Sequence, residues 1–233
     1  LVNALMFCFL AGSMIAVAAT AVGIPFDIPM PQLTDWMPGS VSWVITVAAV
    51  GIVTTLIATL GYEQVSRFAN VAAPWMILVF LAAALAVLPE LGVNSIGDFW
   101  PVAESKIWTG VPLEGQSKFT FWHILFFAWF CNMAMHIGMA DMSIFRYARS
   151  WKAGFTSAAG MYVGHYIAWL ASGILYAVFL QQSQNSLEFA PGPVAYYAVG
   201  ITGAICVIIA GWTTANPTIY RAGLAVQAVI PKS

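Results

Sequence analysis

The chain has 233 residues, of which 61% are hydrophobic and 7% charged, with a formal net charge of -1 and a mean hydropathy of +0.85. That composition excludes an ordinary soluble domain, and the absence of a basic cluster excludes a nucleic-acid binder. Several apolar runs reach the roughly 20 residues that a helix needs to cross hydrocarbon, so the class is an all-α polytopic membrane protein with the lipid bilayer as its partner.

Six spans are predicted within one transmembrane domain covering residues 1–233, at about 2–23, 41–60, 65–88, 119–140, 154–180 and 194–220. No linker separates soluble domains and no internal repeat shows. The chain opens at Leu1 already inside a helix-like run, and is read as a fragment of a longer protein. Cys8, Cys131 and Cys206 each fall in an apolar run without disulfide or zinc spacing, where a thiol acts as a small hydrophobe.

The first span is rich in small residues, Ala11, Gly12, Ser13, Ala16, Ala18 and Ala19, a composition that lets helices approach closely. It leads into an acidic connection, Pro25 to Ser40, with four prolines and Asp27 and Asp35. Arg67 starts the third span. The connection after it, Pro89 to Lys118, holds Glu90, Asp98, Glu104, Lys106 and Glu114 with Phe99, Trp100 and Trp108 as interfacial anchors.

In the fourth span, Asn132 and His136 are four residues apart and share a helix face, with Trp129 one turn before Asn132. An amide, an imidazole and an aromatic plate suit a flat heterocycle that needs stacking plus edge hydrogen bonds. The same residues also serve as interhelical glue, and both readings stand on this segment alone. Gly138 permits a break, and Asp141 lies near Arg146 at the end of the span, as in an exposed ion pair. Arg146, Arg149 and Lys152 join the fourth span to the fifth. There Gly160 and Gly164 have small-xxx-small spacing, and His165 is expected to bond a neighbouring helix because no acid sits near it in sequence.

The sixth span changes character from Ala210 to Gly223, where Thr213, Thr214, Asn216 and Pro217 interrupt an apolar run. Pro217 has no N–H and disfavours helix at Asn216, which frees carbonyls one turn back. Backbone left unpaired at membrane depth survives only against protein or a wet cavity. Freed carbonyls beside two hydroxyls are hard oxygen ligands suited to sodium. A proline kink with threonines bonding back to their own helix accounts for the same residues.

If the spans alternate, six of the eight Lys and Arg residues fall on one side, namely Arg67, Arg146, Arg149, Lys152, Arg221 and Lys232. Positive charge marks the cytoplasmic face, so Leu1 begins inside and the acidic connections lie outside, in a cell (inner) membrane.

Three segments together resemble one family. Trp212-Thr213-Thr214-Ala215-Asn216-Pro217 through Tyr220-Arg221-Ala222-Gly223, the run Ser143 to Ser150, and Phe68-Ala69-Asn70-Val71-Ala72-Ala73-Pro74 are similar to the nucleobase:cation symporters, the cytosine, purine, allantoin and hydantoin permeases. The resemblance covers essentially the whole chain, as the third to eighth helices of that family. It implies part of the inverted-repeat fold shared with amino-acid symporters. It further implies sodium-coupled uptake of a small heterocycle, with no cofactor besides the coupling ion. The implied sodium ligands are the Ala210 carbonyl and the Thr213 and Thr214 hydroxyls, the remaining ligands lying on a helix outside this chain. The implied substrate residues are Asn216 and an aromatic, Trp129 or Phe130, with Asn132 beside them. Two positions depart from the family pattern: Met6 stands where a tryptophan is usual, and Ser143 where an acid precedes the arginine.

A membrane-embedded enzyme would need an intramembrane His-Glu-x-x-His, an aspartate pair or a Ser/His constellation, and the sequence has none. A channel would show polar stripes along several spans, where only two are interrupted here. A purely structural subunit gives no reason for Asn216-Pro217.

Overall fold

Each apolar run closes its backbone hydrogen bonds internally, and in the computed structural model every described element is helical. The structure describes residues 1–32, 34–112, 117–136, 145–183 and 188–230; for residues 129–136 and 161 it gives the backbone alone. Helix α1 is Val2–Val22, α2 Val41–Thr59 and α3 Tyr62–Leu91. After a short helix α4, Phe99–Val102, come α5 Phe121–His136 and α6 Ala153–Gln182. Helices α7, Pro191–Val199, and α8, Ile201–Gln227, complete the chain. Among the described residues, α1, α2, α3 and α6 are long and apolar enough to cross a membrane.

The sixth predicted span is corrected in one respect. The run 194–220 is two helices, and the break falls at Gly200, whose φ of 63° and ψ of -147° an L side chain rarely adopts. Pro217, for which a site of freed carbonyls and a simple kink were both open, lies inside α8, which runs on to Gln227.

The small residues of α1 do what their size permits. At Gly211 of α8, an added Cβ would stand 2.5 Å from the Met14 carbonyl oxygen and 2.8 Å from the Ala18 Cβ. Ala18 and Ala19 are wholly buried in the same contact region. Helix α7 continues the seam: a Cβ on Gly192 would lie 2.5 Å from the Ala21 nitrogen, and its N–H donates to Thr20 Oγ1 at 2.9 Å. The Gly160 and Gly164 pair of α6 behaves differently, with no neighbouring atom within 4 Å of either added Cβ.

Three apolar clusters fix the helices. Ala83, Ala84, Val87 and Leu91 of α3 pack on Ala171, Ile174, Leu175 and Val178 of α6. Ala18 and Ala19 of α1 meet Trp43 and Val50 of α2, with Trp212 of α8 against them. Ala21, Ala195, Ala204 and Val207 join α1, α7 and α8.

Two polar groups join the helix ends. At one end, the Glu90 carboxylate after the core of α3 accepts from Tyr197 Oη at 2.8 Å and Gln182 Nε2 at 3.3 Å, and Lys106 Nζ caps the Leu91 carbonyl at 2.6 Å. At the other, Tyr62, Arg146, Tyr147 and Tyr220 meet. The Tyr220 hydroxyl and the Arg146 guanidinium beside it hold the Tyr147 phenol below its ordinary pKa range.

Candidate functional site

Helices α3, α6 and α8 enclose a cleft of about 310 Å³ lined on α8 by Ala210, Thr213 and Thr214. The opposing walls come from Ala73, Met76, Ile77 and Phe80 of α3 and from Gly164, Ile167 and Ala168 of α6. Each set sits at the middle of its helix: α3 spans 62–91, α6 153–182 and α8 201–227. At 1.5 Å of rise per residue the two 30-residue helices are about 45 Å long. The cleft therefore opens at mid-depth, far from either end.

The three predicted cation ligands are thus brought to one wall. Thr213 Oγ1 donates to the Ala210 carbonyl at 3.0 Å and lies 3.4 Å from the Met76 sulfur. Its lone pairs remain available to a ligand, because a hydroxyl that donates still accepts. The Thr214 carbonyl is taken by the Thr218 hydroxyl at 2.6 Å, so Thr214 can offer only its own hydroxyl to the cleft. One turn beyond, Pro217 deprives the Thr213 carbonyl of its helical donor. Back-bonding and a lost donor thus coexist in the same turn. Among the described residues, the lining carries no charged side chain. A neutral set of hydroxyl and carbonyl oxygens with a thioether suits a monovalent ion or a polar neutral group better than a divalent one, which needs carboxylates.

Asn216 lies outside this cleft. It is wholly buried, and neither its amide oxygen nor its amide nitrogen has a hydrogen-bond partner among the described residues. Trp212, one turn earlier on the same face, has a buried and equally unpartnered indole N–H, and its ring stands 6.0 Å from that of Phe68. Three polar atoms in a row without partners are expensive, because each buried unpaired group costs about 1–3 kcal/mol.

The side chains of Trp129, Phe130 and Asn132 lie outside the described residues, as do Asp141 and Ser143 altogether. Met6 is half-buried on α1. His165 is exposed on α6 with its ring 6.1 Å from Trp169, so it faces away from the cleft that its neighbour Gly164 lines. Sequence reasoning missed Met76, for which an apolar run gives no signal, and Trp212, which the i, i+4 spacing to Asn216 would have flagged. No family model, curated protein or solved structure matches the chain.

Proposed function

We propose that the chain is part of a secondary active transporter, with sodium as the coupling ion and a nucleobase or related small heterocycle as the substrate. The observation that carries this reading is the mid-depth cleft in which Ala210, Thr213 and Thr214 face α3 and α6. Transporter sites lie near the bilayer midplane, at helices whose backbone pairing is interrupted. Proline removes one backbone donor from each of two of the three walls, Pro74 next to Ala73 on α3 and Pro217 on α8, while both helices run on. The unpaired amide of Asn216 and indole of Trp212 form a separate polar face on α8, suited to the edge of a neutral ring. The resemblance to the nucleobase:cation symporters agrees with both. On this reading the six runs cross a cell (inner) membrane, α5 and α8 included, with the basic end inside.

The test is labelled uptake by the full-length protein under an imposed sodium gradient. Thr214→Val keeps the shape of the side chain and removes one oxygen, so it should raise the half-saturating sodium concentration while expression holds. Uptake indifferent to sodium, or an unchanged sodium response in both Thr213→Val and Thr214→Val, would overturn the assignment.

A further inference from the structure

We infer that Tyr147 is the pin of an aromatic clasp that shuts the basic end of the mid-depth cleft. Its ring stacks on Tyr62, the first residue of α3, with centroids 4.2 Å apart and planes 17° from parallel. Its hydroxyl lies 2.9 Å from that of Tyr220 on α8 and accepts from Arg146 Nη2 at 2.7 Å. The Arg146 guanidinium also sits over the Tyr147 ring, 4.8 Å from its centre. Tyr62 and Tyr220 face each other at 6.3 Å.

The three walls of the cleft converge on this one residue. Helix α3 arrives through Tyr62 and α8 through Tyr220, while Tyr147 stands a few residues before α6 begins at Ala153. From Tyr62 to Ala73 is about 16 Å along the helix, so the clasp lies well below the cleft on the basic side. A solute leaving the cleft toward that side must part α3, α8 and the start of α6. Tyr147 bonds to the first two and is joined covalently to the third. Its contacts suit a releasable latch: one stacked pair, one hydroxyl pair and one cation over a ring are each worth little, and Tyr147 is 44% exposed. The deeply buried seams between α1 and α8 and between α3 and α6 hold the fold without it.

The inference rests on the cleft being the transport site, but its test does not need transport. In the full-length protein with Cys8, Cys131 and Cys206 replaced by alanine, a single cysteine at Ala73 reports access to the cleft by its rate of alkylation. The membrane-impermeant reagent is applied separately from each side of sealed vesicles. Tyr147→Ala should speed alkylation from the basic side about tenfold, the factor that one stacked pair with one hydrogen bond represents. From the acidic side the rate should not rise. Tyr147→Phe and Tyr220→Phe keep the rings and remove the same hydroxyl contact. Each should therefore speed basic-side alkylation by a smaller factor than Tyr147→Ala, Tyr147→Phe by more than Tyr220→Phe because it also loses the Arg146 hydrogen bond, and the double variant should do no more than Tyr147→Phe. An unchanged basic-side rate in Tyr147→Ala, acceleration from both sides alike, or additive Phe variants would overturn the clasp. If Tyr147→Ala does not fold, the Phe pair decides. Sodium-independent uptake with one-sided acceleration intact would sink the sodium reading and leave the clasp standing.

Discussion

Asn216 shows how far a single residue can be read from sequence. Its neighbourhood of Thr213, Thr214 and Pro217 marked it as functional, and the structure gives it no hydrogen-bond partner among the described residues. Sequence could not tell which face of α8 it would take. A helix turns 100° per residue, so Asn216, two residues after Thr214, points about 160° away from it. Thr213 and Thr214 therefore face the cleft while Asn216 and Trp212 do not. The unpaired amide sets up two opposite expectations. Asn216→Ala should weaken apparent substrate affinity by roughly ten to a hundredfold, as one lost edge hydrogen bond in a buried site implies. Asn216→Leu, close in size but apolar, should raise the melting temperature of the substrate-free protein by a few degrees, because it removes a desolvation cost of about 1–3 kcal/mol. A melting temperature that falls in Asn216→Leu, measured without substrate, would mean that the amide is satisfied in the apo protein.

Among the elements, the apolar runs were legible because their length alone sets the span, and α1, α2, α3 and α6 begin or end within a few residues of expectation. The junction between α7 and α8 was not. Gly200 sits in an unbroken apolar run, and hydropathy cannot distinguish a glycine that packs from one that turns. Pro217 left two readings open in the sequence, and the helix runs on through it, as a helix with one missing N–H can. The two kinds of glycine on α8 separate cleanly by experiment. Gly223 has nothing within 4 Å of an added Cβ, so Gly223→Ala should stabilise the helix by about 0.5–1 kcal/mol. Gly211→Ala should destabilise instead, because its Cβ would sit 2.5 Å from the Met14 carbonyl oxygen, backbone that cannot yield as a side chain does. Thermal melts of the two variants side by side check the contrast. Equal shifts would mean that α1 and α8 are not in backbone contact.

For the whole molecule, alternation of the spans puts Glu90 and Tyr147 at opposite ends, and the structure gathers Glu90 with Gln182 and Tyr197, and Tyr147 with Tyr62 and Tyr220. Alternation of spans is enough to deduce that much, whereas the lateral order of helices depends on side-chain shape that no charge count contains. Orientation is the remaining expectation. A cysteine at Gly97, exposed beside the acidic connection, should react with an impermeant thiol reagent from outside intact cells, and one at Ser150 should react only after permeabilisation. The reverse pattern would invert the topology and place the tyrosine clasp on the outer face.

The seam between α1 and α8 has a mechanical side as well. Side-chain contacts comply, because a rotamer can hop while the helices stay put, but a carbonyl pressed against a bare Cα position leaves no such slack. Helices α1 and α8 are in this sense a keyed joint, without a soft layer between them. A load arriving at Thr213 or Thr214 passes undamped into α1, and the pair travels as one stiff body. The slack in the cleft lies where α6 meets α8 across open space at Gly164, so a change of width comes most easily from α6 swinging against that body.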